Sequence, residues 1–116
     1  MITANYVGGL QETDTVELTT TSATAVHTAT DNQEILTGFT ISNIHSSAVL
    51  VTCHLNKGSD VVVFVKSMAA TSTHVETEMP LRLRSGYIFK ATADTADMIT
   101  ITPIVTRFDN NVPTNN

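Results

Sequence analysis

The chain has 116 residues, 41% of them hydrophobic and 5% aromatic, with no tryptophan and a formal charge of −5. That length holds one domain, whose core must be filled by Val, Ile, Leu and Ala. The six basic residues (Lys57, Lys66, Arg82, Arg84, Lys90, Arg107) are scattered, which excludes a nucleic-acid binder's basic stripe and a polybasic membrane anchor; no run has the length to span a bilayer.

Threonine is over-represented, at roughly one residue in six, and its β-branched side chain suits a pleated, half-buried surface. The composition therefore predicts sheet. The opening Met1-Ile2-Thr3-Ala4-Asn5 lacks a basic segment followed by an apolar one, so no secretory signal is expected. A lone Cys53 cannot form an internal disulfide, which fits folding in a reducing cytoplasm.

In chain order, residues 1–13 read as an N-terminal arm, with Gly8-Gly9 and with Tyr6, Val7 and Leu10 as docking points. Alternation begins at Thr15-Val16-Glu17-Leu18-Thr19 and continues to Val26 as one Thr/Ala-rich strand. Asp31-Asn32-Gln33 predicts a turn, because Asp and Asn bond their own backbone. From Glu34 to Ile44, period-two alternation puts Ile35, Thr37, Phe39 and Ile41 on one face and Leu36, Gly38, Thr40 and Ser42 on the other.

Residues 48–56 and 61–67 flank Asn56-Lys57-Gly58-Ser59-Asp60, the best turn signal in the chain, and read as an antiparallel hairpin. In its first arm Val49, Val51, Cys53 and Leu55 share a face. The second arm, Val61-Val62-Val63-Phe64-Val65, is apolar on both faces, as suits a central strand or one covered by a partner. Residues 68–73 read as a loop, and 73–78 alternate again. Pro80 suits an edge or a crossing between sheets; Pro103, inside the last strand (98–108), suits an edge or a bulge. Turns are expected at Ser85-Gly86 and at 94–97, and residues 109–116 form a polar tail.

Seven or eight short strands with turns every eight to twelve residues predict one all-β domain over 14–108, an antiparallel β-sandwich of jelly-roll or immunoglobulin-like order. The chemistry-bearing residues form no motif. His27, His45, His54 and His74 match no compact ligand spacing, and Cys53 and His54 point to opposite faces of a strand. Asp31, Asn32 and Glu34, or Asp94 and Asp97, lack the alternating ligands and obligatory glycine of a calcium loop. No serine sits in a Gly-x-Ser-x-Gly elbow, and Glu76 and Glu78 share one strand rather than facing across a cleft. No enzyme, metal or cofactor is expected.

The succession Thr40-Ile41-Ser42-Asn43-Ile44, a hairpin, Pro80-Leu81-Arg82-Leu83-Arg84-Ser85-Gly86-Tyr87-Ile88 and Ile99-Thr100-Ile101-Thr102-Pro103-Ile104-Val105-Thr106 resembles small β-sandwich structural proteins of tailed bacteriophage particles, over about residues 35–108. The resemblance implies a virion protein made in the host cytoplasm, most simply a capsid decoration (cement) subunit on the major capsid protein, or else a neck, tail, baseplate or fibre subunit. It implies assembly by surface contact and no chemistry. The charge balance speaks against nucleic acid or membrane as partner, and a homo-oligomer such as a trimer would cover the apolar strand. Val61, Val63 and Val65 are the strand positions expected to be covered, beside Tyr6, Val7 and Leu10 of the arm. A carbohydrate-binding host-attachment module is the alternative from another class, with Tyr6 and Tyr87 the only phenols available for stacking on sugar.

Overall fold

A computed structural model of the chain describes residues 7–10, 14–77 and 80–108, and every regular element in them is a strand. Ten strands follow in order: β1 (Val7–Leu10), β2 (Val16–Leu18), β3 (Thr24–Thr28), β4 (Glu34–Asn43), β5 (Val49–Asn56), β6 (Asp60–Met68), β7 (Ser72–Glu76), β8 (Leu81–Leu83), β9 (Ile88–Ala93) and β10 (Ile99–Phe108). The first sheet has the order β1-β10-β4-β7, with β2 also on β10 and β8 also on β4. The second has the order β3-β9-β5-β6, and every pairing is antiparallel.

The pairings are nested. The hairpin β5–β6 lies innermost, then β4 with β7 and β8, then β3 with β9, and β2 with β10 outermost. One long hairpin rolled into two facing sheets is a jelly roll. The structure thus selects that order over the immunoglobulin-like one.

Between the sheets lie Leu18, Leu36, Phe39, Ile41, Val49, Val51, Cys53, Met68, Phe89, Ile99 and Ile101, all essentially without solvent contact. Phe39 sits at the centre, its ring 4.9 Å from Phe64 edge-on and 5.5 Å from Phe89. Burying each such aliphatic or aromatic side chain stabilises the fold by about 1.5–3 kcal/mol before entropy is counted. The first arm of the hairpin follows its alternation, with Val49, Val51, Cys53 and Leu55 inward.

Elsewhere bulges reset the pattern. In β4, Val105 lies opposite Leu36 but Ile104 opposite Gly38, so Thr37 is an extra residue. Alternation changes phase there. Glu34 and Leu36 point inward before the bulge, Phe39, Ile41 and Asn43 after it, whereas strict period two put Ile35 with Phe39. In β6, Cys53 opposes Phe64 while His54 opposes Val62, leaving Val63 as the extra residue. A bulge inserts one residue on one strand and carries no sequence signature as firm as a turn's.

Three further expectations change. The stretch from Thr15 to Val26 is two strands, because the chain passes between sheets over residues 19–23; Leu18 enters the core from β2 and Val26 from β3. Pro80 does not cross between sheets, for β7 and β8 on either side of it both pair with β4. The apolar β6 is not a central strand but the edge of its sheet among the described residues. Its two-faced hydrophobicity reflects the bulge and an open side. Pro103 lies within β10 opposite Phe39 of β4, one residue before the register shift between Ile104 and Val105.

The outer side of the first sheet carries two rows rich in hydroxyl side chains, with Glu17 and the exposed Val75 among them. Glu17, Thr100, Ser42 and Thr73 are cross-strand neighbours, and so are Thr102, Thr40 and Val75, with Thr15 beside Thr102. Within the rows, the Thr15 and Thr102 hydroxyls are 2.7 Å apart and those of Ser42 and Thr73 3.2 Å apart.

Candidate functional site

The polar residues singled out from sequence are dispersed, and several of them are engaged in internal bonds. His27 reaches Glu34 across the β3–β4 connection. His45 lies on the loop after β4, its backbone N–H donating to the Asn43 side chain. His74 stacks on Phe64 with ring centroids 5.8 Å apart and lies 3.1 Å from Glu76. Cys53 points into the core, where burial pushes its thiol up to about 12; His54 points to the other face.

The acidic turns are likewise used internally. Asp31 accepts the Gln33 backbone N–H at 2.8 Å and pairs with Arg107 at 2.6 Å. Asp94 accepts the Leu50 backbone N–H. Among the described residues there is no pocket, and no three His, Cys, Asp or Glu side chains are grouped to hold a metal ion. Glu78, the second carboxylate of the pair considered from sequence, lies outside the described residues.

What the described surface offers instead is apolar side chains along one edge. On β6, Val65 lies opposite Thr52 and Val62 opposite His54, so both face outward, each 55% exposed. Leu50 on β5 shares that outer face at 42% exposure. Val61 lies opposite Leu55 at the inward rim, 46% exposed, and Lys66 lies opposite Val51 on the same side. Phe64 turns in to close the core, and Val63, the bulged residue, packs partly against it.

The turn end of this edge is polar. Asn56 donates to Asp60 at 2.6 Å and Lys90 lies 3.4 Å from it. The Asn56 hydrogen bond and, against the small cost of burial, the Lys90 charge hold the Asp60 carboxyl below its ordinary range. His54 Nδ1 nearby is shielded from solvent without a hydrogen-bond partner.

Of the contact residues expected from sequence, Val61, Val63 and Val65 thus share a strand but not a face. Val62, which alternation set apart from them, is the outward neighbour of Val65. Only the bulge at Val63 could have shown this. Val7 and Leu10 lie in β1, paired with Phe108 and Thr106 of β10 on the other edge of the sandwich. Tyr6 lies outside the described residues.

No known protein family matches the chain, and neither does any curated protein. Solved structures do. One is a pentameric capsid protein isolated from metagenomic phage sequences, with TM-score 0.50 and 13% identity over 93% of this chain. This chain spans 66% of that protein's length. Another, a crystal structure solved by iodide phasing and described in the same terms, has TM-score 0.49 and 12% identity, covering 93% of this chain and 75% of its own. At such identity the likeness to the first is one of fold.

Proposed function

We propose that the chain is a structural protein of a tailed-phage virion, and within that class a decoration subunit that grips the major capsid protein. The observation that carries this reading is the jelly roll that 93% of the chain shares with a phage capsid protein. Jelly rolls recur in viral shells, though the fold alone does not dictate function. The surface agrees with the reading, since several polar candidates are held in internal bonds and four exposed apolar residues, Leu50, Val61, Val62 and Val65, lie on β5 and β6.

The mechanism is cumulative burial. A subunit contact of standard size, about 1,600 Å², repeated over a shell stabilises it without any chemistry. The arm, residues 1–13, whose Val7–Leu10 extend the first sheet as β1, and the tail, residues 109–116, serve as docking segments. The pentameric neighbour supports self-association of the chain as part of this reading.

Purification of intact particles and quantitation of this chain in them tests the reading. Copies by the hundred are expected of a decoration subunit, and a few per particle would move the chain to the neck or tail. Absence from particles overturns the virion role. Deleting residues 1–10 is expected to weaken coating of particles while the sandwich stays folded, and full coating by the truncated chain would overturn the docking role of the arm.

A further inference from the structure

At nine residues, β6 is the longest edge strand in either sheet, and among the described residues no strand lies on its outer side. Along such an edge the main-chain N–H and C=O groups that face away from the neighbouring strand offer a template for another strand. Native edges are blunted by brevity, charge or proline. Here Val61, Val62 and Val65 stand exposed, against one bulge and two charges, Lys66 and Asp60 at the first position.

We propose that this edge joins two copies of the chain, which add β6 to β6 antiparallel about a twofold axis to make one continuous sheet. Residues opposite one another in a ladder must point to the same face. Val62 and Val65 both face outward, while Val61 and Lys66 both face inward. Pairing Val62 with Val65 of the second copy, and Val61 with its Lys66, satisfies all four at once, and twofold symmetry repeats each pair. The bulge at Val63 then sits at the axis beside Phe64. A slip of one residue either way would set outward side chains against inward ones.

Charge complementarity selects the same partner. Lys66 is exposed and makes no ion pair among the described residues. Glu76 lies inward on β7, opposite Phe39, with Oε1 toward His74. His74 stacks on Phe64, so Glu76, two residues further along β7, lies toward the Val61 end of β6. That is where the second copy's Lys66 arrives. The dimer therefore gains two symmetry-related Lys66–Glu76 pairs, whereas elsewhere two copies carrying −5 each repel. Val7 and Phe108 pair with each other at the opposite edge of the sandwich from β6.

Sedimentation of the full chain over a range of concentrations tests the proposal. The parent is expected to show a monomer–dimer equilibrium. V65K, which puts a charge on an exposed edge position, is expected to leave a folded monomer. K66E and E76K are each expected to weaken the dimer about tenfold, because two exposed pairs become repulsive together. The double variant K66E/E76K is expected to regain most of that affinity. A parent that stays monomeric, an oligomer that persists in V65K, or a double variant no better than the singles would each overturn the β6 contact. None of these outcomes bears on copy number in particles, so the virion reading stands or falls separately.

Discussion

His27 Nε2 lies 2.5 Å from Glu34 Oε1, and this contact closes the connection that carries the chain from the second sheet to the first. Glu34 is 1% exposed. Its other oxygen accepts the Thr30 backbone N–H at 3.0 Å and the Thr30 hydroxyl at 3.2 Å. Burial by itself raises the carboxyl's pKa. The His27 and Thr30 hydrogen bonds outweigh it, and the group titrates below 4.5.

The depressed value makes Glu34 a source of acid lability. Its stabilisation is present above the unfolded value of 4.5 and is lost as pH falls through the lower folded value. E34Q is expected to cost about 1–3 kcal/mol at pH near 7, from weakened charge-assisted bonds in a buried place. The gap between parent and variant should narrow in acid, below the pH where the parent carboxylate is protonated. Urea unfolding at neutral and acidic pH measures it, and a gap that stays constant with pH would show that the charge is not the cause.

Gly38 is constrained by contact. A Cβ built there would lie 2.0 Å from the backbone oxygen of Glu76. G38A must push β7 away from β4, and is expected to destabilise the fold by about 1–3 kcal/mol. A thermal unfolding midpoint unchanged by G38A would show that β7 has room to move.

Asn43 is 2% exposed and binds several main-chain groups. Its Nδ2 lies 3.1–3.2 Å from the carbonyl oxygens of Ser47, Met68 and Ala69, and its Oδ1 accepts the His45 N–H at 2.9 Å. N43A orphans these groups around the start of β5 and the β6–β7 turn. A loss of about 2–4 kcal/mol is expected, since each buried group left unpaired costs about 1–3 kcal/mol and water recovers some of them. Faster amide exchange in residues 44–48 and 68–71 would locate the damage.

Cys53 should be inert while the fold is intact. It has no solvent contact, and a thiol pushed up to about 12 is scarcely ionised at neutral pH. Labelling by a thiol-specific reagent is expected to proceed only through unfolding, so its rate should rise with denaturant. Immediate labelling of the native chain would mean that the β5–β9 region opens readily.

The parts of the fold legible in sequence are those where local chemistry and long-range packing agree. Asn56-Lys57-Gly58-Ser59-Asp60 specifies a turn by itself, so the β5–β6 hairpin follows from local chemistry alone. Val49, Val51, Cys53 and Leu55 alternate without interruption, and all four point inward. Legibility fails at Thr37, Val26 and Val63, where a single extra residue shifts the phase. It fails also at residues 19–23, where a change of sheet looks like continued alternation. The candidate contact suffered most, for whether Val62 or Val63 joins Val65 on a surface depends on where one bulge falls. The edge position of β6 depends on which strands fill the sheet, a property of the whole chain.

The hydroxyl rows on the outer side of the first sheet have a consequence for wetting. Thr15 with Thr102, and Ser42 with Thr73, bond to each other across the sheet. A hydroxyl so paired keeps a partner when its water leaves, and so escapes most of the penalty of an orphaned polar group. With Glu17 as the sole charge in the two rows, this side of the molecule can be dried at small cost. It stays soluble when bare and tolerates close cover when crowded, unlike the valine-lined edge, which gains only when covered.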